Sequence, residues 1–164
     1  TIYYNGIGIS LTLGTPILSN LKNNISTNNI TSNSLKGIEI SFNINNTTVE
    51  NNLIKDSGYG IYIESSGGHT IKNNTITNNT DGILLNSSSN NNITDDNNIS
   101  FNSRLGVVFI DSSSNINMTQ VENNTNGKGL FAWSIYVHTI NSTGQDVASA
   151  YVDVKNISGF TTLE

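Results

Sequence analysis

The sequence contains no cysteine, which excludes a disulfide framework, a thiolate metal site and a cysteine nucleophile. Charge is also scarce. Asp, Glu, Lys and Arg make up 12% of the 164 residues, against about 25% in an ordinary soluble domain. The basic residues Lys22, Lys36, Lys55, Lys72, Arg104, Lys128 and Lys155 are scattered, and the formal net charge is −5. No basic patch is present to neutralise phosphates, so nucleic acid is not an expected partner. No apolar run reaches the roughly 18 residues of a transmembrane helix, and no membrane contact is expected in this stretch. Good helix formers are outnumbered by Asn, Gly, Ser and Thr, which argues against an ordinary helical fold. Charge-driven disorder is excluded as well, because it requires high net charge.

Asparagine takes the place of charge, with 30 copies, and it is periodic. A glycine followed by alternating apolar residues recurs in Gly37-Ile38-Glu39-Ile40, Gly60-Ile61-Tyr62-Ile63, Gly82-Ile83-Leu84-Leu85 and Gly106-Val107-Val108-Phe109, with Gly6-Ile7-Gly8-Ile9 as an opening variant. From Gly37 to Gly129 successive glycines lie 22–24 residues apart, within the range of solenoid repeats. The longer interval from Gly6 to Gly37 places an insertion around residues 11–18. Two apolar anchors recur in each unit: Ile25, Val49, Ile71, Ile93 and Ile116, then Ile30, Ile54, Ile76, Ile99 and Val121. The gap between them is five residues, except for six between Ile93 and Ile99. Each unit therefore carries three short segments with the period-two alternation of strands that bury one face.

Three strands in about 23 residues describe a parallel β-helix of about five coils, all-β, spanning 1–129. Like residues then stack at about 4.8 Å from coil to coil. Asparagines at fixed offsets fall into turn ladders: Asn28, Asn52 and Asn74 after the first anchor, and Asn33, Asn79, Asn102 and Asn124 after the second. Asp96, Thr119 and Ser57 stand where these series are broken. An Asn at a turn tolerates left-handed backbone geometry and can bond its neighbour in the stack. Low charge follows from the same stacking, because like charges would be brought face to face.

The pattern G-I-x-I followed by N-x-I-x-x-N-x-I-x-x-N resembles the right-handed, single-stranded parallel β-helix repeats of NosD-like and other carbohydrate-binding (CASH) domains. Its Asn-rich form is similar to cell-surface, S-layer-type or adhesin-like proteins of methanogenic archaea. The resemblance covers roughly residues 19–129. It implies a rod-like fold and an extracellular, cell-surface location; the same repeat occurs in lyases, hydrolases and adhesins, so it implies no single activity.

After Leu130 the pattern changes. Ile135–Ile140 and Ala150–Val154 flank a turn cluster, predicting a C-terminal β-hairpin over 130–162 that caps the solenoid; the segment is also similar to the opening of an Ig-like module, here truncated. Leu163-Glu164 reads as a cloning scar, and the whole as a piece of a longer protein.

Glu39 and Glu64 fall on adjacent coils, about 6 Å apart on a diagonal, with Tyr62 beside them to stack on a sugar ring; this is near the separation of a retaining glycosidase pair and the sharpest candidate ligand face. Leu84, Val108 and Ile110 continue the same face as an apolar surface suited to a partner. Asp95-Asp96 is similar to the paired aspartates of polygalacturonases but lacks their companion motifs. His69, in Ser66-Gly67-Gly68-His69, reads as an exposed turn. With His138 distant and Met118 alone, no copper or other metal site, and no cofactor, is expected. Thirteen N-x-S/T sequons are present, among them Asn24, Asn29, Asn45, Asn46, Asn73, Asn78, Asn86, Asn92, Asn98 and Asn123. The expected function is a non-catalytic structural or adhesive segment of an extracellular surface protein, with cell-surface polysaccharide or other copies of a surface layer as partners and self-association through solenoid ends or the hairpin edge. The alternatives are a carbohydrate-active enzyme fragment using Glu39 and Glu64, or an assembly module.

Overall fold

The computed structural model describes residues 1–12, 22–94, 96–111, 114–116 and 121–132. These form seventeen short strands and no helix. All strand pairs are parallel, and they sort into three sheets that each take one strand per coil. The broad sheet runs through Ile7–Thr12, Lys36–Ser41, Tyr59–Glu64, Asp81–Asn86, Val107–Ile110 and Gly129–Ala132. The first-anchor sheet holds Asn24–Ser26, Thr48–Glu50, Thr70–Lys72, Asn91–Ile93 and Ser114–Ile116. The second-anchor sheet holds Ile2–Tyr3, Asn29–Thr31, Leu53–Lys55, Thr75–Thr77, Asn98–Ser100 and Val121–Glu122. Successive triplets of strands thus form a β-solenoid, and Gly129–Ala132 adds one more rung to the broad sheet. Residues 13–18 of the expected insertion, and most of the expected hairpin, lie outside the described residues.

The interior follows from register. Ile38, Ile61, Ile83 and Val107 are cross-strand partners, as are Ile40, Ile63, Leu85 and Phe109. The anchors form two more columns, Ile25–Val49–Ile71–Ile93 and Ile30–Ile54–Ile76–Ile99–Val121. All are buried in one continuous core. Fully burying such a side chain contributes roughly 1.5–3 kcal/mol before entropy is counted.

The repeat glycines face this interior. A Cβ on Gly82 would lie 2.4 Å from the Gly106 carbonyl oxygen and 2.6 Å from Cγ2 of Ile99. Gly60 meets Gly82 and Ile76 in the same way. The missing side chain is what lets consecutive coils approach here while the second anchor fills the corner. The opening variant is corrected by register: Ile7 pairs with Lys36 and Ile9 with Ile38, so Gly8, not Gly6, occupies the repeat position. Ser10 is therefore the partner of Glu39.

Each corner turns on a left-handed residue. Thr27, Asn51 and Asn73 mark one corner; Ser32, Asp56, Asn78, Phe101 and Asn123 a second; Phe42, Ser65, Ser87 and Asp111 a third, with φ of 47–57° throughout. One αL residue bends the chain sharply from one sheet to the next, and Asn and Asp adopt it at the lowest cost among non-glycine residues.

Candidate functional site

The outer row of the broad sheet runs Ser10, Glu39, Tyr62, Leu84 and Val108, each the partner of the next. A second row runs Ser41, Glu64, Asn86 and Ile110. Glu39 and Tyr62 are therefore directly paired, and Glu64 lies two residues along on the Tyr62 strand. The structure engages all three locally. Glu39 accepts from Lys36 Nζ at 2.5 Å and from Ser10 Oγ at 2.9 Å. Burial raises its pKa, but these hydrogen bonds and the Lys36 charge outweigh burial and hold the carboxyl below its usual range. The same ammonium sits 3.7 Å from the centre of the Tyr62 ring, a cation–π contact. Tyr59 packs against Tyr62 with ring centres 5.5 Å apart and planes tilted by 53°. Burial, then the nearby Glu64 charge, pushes the Tyr62 phenol up against the opposing Asn86 hydrogen bond. Glu64 accepts from Asn86 Nδ2 at 3.0 Å.

A general acid needs a carboxyl whose pKa is raised to near working pH. Glu39 moves the other way, because its charged form is the one being solvated by Lys36 and Ser10. What the arrangement does well is tie three coils together laterally, from Ser10 through Glu39 and Lys36 to Tyr62.

The apolar end of the row differs from a free surface. Leu84 is 5% exposed and Val108 4% exposed; they pack with Leu105 in a small cluster that also takes in Tyr59, Tyr62 and half-buried Ile110. Beside it Asp81, fully buried, receives the Arg104 guanidinium in a two-pronged pair and the Leu105 N–H at 3.2 Å. The hydrogen bonds to Asp81 push the Arg104 pKa up. Ser41, at the start of the second row, is buried.

The turn asparagines form two buried hydrogen-bonded columns. Along the first, the backbone N–H of Asn28, Asn52 and Asn74 each donate at 3.0 Å to the Oδ1 of the asparagine on the next coil, ending at Asn97. Each Nδ2 donates to the same oxygen at 3.0–3.1 Å. The Nδ2 of Asn52 and Asn74 also reach back to the carbonyls of Ile25 and Val49. Asn97, not Asp96, continues the series. The extra residue between Ile93 and Ile99 moves the rung along by one, and Asp96 instead accepts from the Asn73 N–H at 3.0 Å.

The second column runs from Asn33 through Ser57, Asn79 and Asn102 to Asn124, with backbone donations of 2.9–3.3 Å at every step. Ser57 offers one oxygen where the others offer an amide. The Asn33 N–H reaches its Oγ at 3.3 Å, but Asn33 Nδ2 is buried with no hydrogen-bond partner.

A third polar column has no sequence signature, because its members differ: Thr47, His69 and Asn91. The Thr47 N–H donates to His69 Nδ1 at 3.1 Å, and the His69 N–H donates to Asn91 Oδ1 at 3.1 Å. His69 is 1% exposed, which corrects the expectation of an exposed turn. With Nδ1 accepting, the ring proton resides on Nε2, 3.2 Å from Ser66 Oγ. Burial lowers the His69 pKa from 6.5 to about 4. The imidazole is thus a neutral structural element. The signal that could have found it is position, two residues before a first-anchor residue, as for Thr47 and Asn91.

Beside this corner lies an open polar groove of 340 Å³ lined by Asn45, Asn46, Gly67, Gly68, Ser89 and Asn90. Among the described residues no cluster of three or more His, Asp or Glu side chains could hold a metal ion.

A family model described as "Right handed beta helix region" matches residues 1–143. The chain belongs to the right-handed beta helix family. The match fixes the hand of the solenoid and takes in the described coils from end to end. Proteins of the beta helix family include many surface proteins and carbohydrate-active enzymes, so membership narrows the fold more than the activity. Comparison with curated proteins and with solved structures gives no match.

Proposed function

We propose that this beta helix is a non-catalytic structural segment of an extracellular surface protein, a stiff spacer that other molecules contact along its sides. The observation that carries this reading is the use made of polar side chains. The amides run as buried columns along the coils, and the acids that an enzyme would need are committed to lateral ties, Glu39 to Lys36 and Ser10 and Asp81 to Arg104.

A polysaccharide-degradation screen with the wild type and Glu39→Gln tests the reading. No new reducing ends and no unsaturated products are expected from either. Turnover by the wild type that is lost in Glu39→Gln would establish the enzyme reading instead. Protease treatment of intact source cells tests the location, with release of peptides from this chain as the expected result.

A further inference from the structure

The columns divide the asparagines into two populations. None of the column asparagines, 28, 33, 52, 74, 79, 97, 102 or 124, begins an N-x-S/T sequon. The ten sequon asparagines among the described residues all lie outside the columns, exposed or half-buried. A glycosyl group is accepted on Nδ2, so the state of that atom matters. It is committed in four: Asn24 donates to Glu50, Asn73 to Asn51 and Asn86 to Glu64 at 2.6–3.0 Å, and Asn45 to the Asn43 carbonyl at 3.4 Å. The other six, Asn29, Asn46, Asn78, Asn92, Asn98 and Asn123, are exposed, with no hydrogen bond from Nδ2.

Their placement along the rod is also permissive. Asn29 and Asn98 share one outward column of the second-anchor sheet but are three rungs apart, with Leu53 and Thr75 between. That is about 14 Å at the spacing of parallel strands. Asn78 and Asn123 occupy the same corner with Phe101 between them, about 10 Å apart. Sugars on neighbouring rungs, at about 4.8 Å, would collide; none of the six has another of the six on an adjacent rung of its column.

We propose that Asn29, Asn46, Asn78, Asn92, Asn98 and Asn123 carry N-linked glycans, so that the rod presents a spaced glycan coat over an amide-locked interior. The donor is a lipid pyrophosphate-linked oligosaccharide. Nδ2 attacks the anomeric carbon, the bond from that carbon to the phosphate oxygen breaks, the lipid pyrophosphate leaves with the electron pair, and the transferase takes the Nδ2 proton. The inference rests on the surface reading, because export brings the chain to the transferase.

The test is glycopeptide mapping of the protein from its source cells, on two fractions: peptides shaved from intact cells and total lysate. Glycan at most of these six asparagines, with Asn24, Asn45, Asn73 and Asn86 unmodified, is expected. Shaved peptides at their unmodified masses, or glycan confined to the four committed asparagines, would overturn the glycan coat while leaving the surface reading intact. Peptides recovered only after lysis and unmodified would overturn both.

Discussion

Asn33 shows what one side chain contributes to a stacked architecture. Every other step of the second column meets an amide oxygen, whereas Ser57 leaves Asn33 Nδ2 buried and unbonded. An unsatisfied buried donor costs about 1–3 kcal/mol. Ser57→Asn should therefore stabilise the protein by about 1 kcal/mol, read as a rise in Tm of about 2–4 °C at this size. His69 gives the opposite kind of prediction. Its pKa is about 4 in the folded chain and 6.5 ordinarily, so between those values the unfolded chain binds a proton that the folded chain does not. Stability therefore falls as pH falls from about 6.5 to about 4, by up to about 3 kcal/mol. Asn91 already plays the His69 role one coil on, accepting a backbone N–H through Oδ1. His69→Asn should flatten this part of the pH dependence in chemical denaturation while leaving stability at pH 7.5 within about 1 kcal/mol.

At the scale of the strand and its corners, the repeat glycine and the αL residue set how closely coils stack. Gly82→Ala would press a methyl group into the Gly106 carbonyl and the Ile99 side chain, neither of which can retreat without shifting a rung. A loss of about 3 kcal/mol or more is expected, measured by urea unfolding. Phe101 has φ of 56° and is 61% exposed, so it bears left-handed strain without burial in return. Phe101→Gly should stabilise by up to about 1 kcal/mol, the strain relieved being partly offset by chain entropy. The elements themselves were legible in the sequence, because strand alternation, glycine spacing and both anchors repeat with little variation. What escaped was whatever breaks identity between coils. The extra residue before Ile99 displaced the count and hid Asn97 behind Asp96. The Thr47–His69–Asn91 column escaped because three different residues share one ladder position, and the two side chains that accept a backbone N–H there, an imidazole and an amide, are unlike. The Glu39–Tyr62 pairing was visible in sequence, but Lys36 as the partner of both was not, since nothing in spacing says where a long ammonium side chain will lie.

The described residues form a stack in which each coil is the template for the next, so the ends of that stack are edges. Gly129–Ala132 covers the Val107–Ile110 strand of the broad sheet. A chain truncated after Lys128 should self-associate in a concentration-dependent way by light scattering, and a monodisperse monomer would show that this rung is dispensable. The rod reading depends on the amide columns being as permanent as the sheets they join. Amide hydrogen exchange by NMR tests that directly, at the backbone N–H of Asn52, Asn74, Asn79 and Asn102. These sit at corners and donate to side-chain oxygens rather than to strand carbonyls. Protection equal to that of the neighbouring strand amides of Ile54 and Ile76 is the predicted result. Exchange at the rate of an open turn, with the strands still protected, would contradict the account.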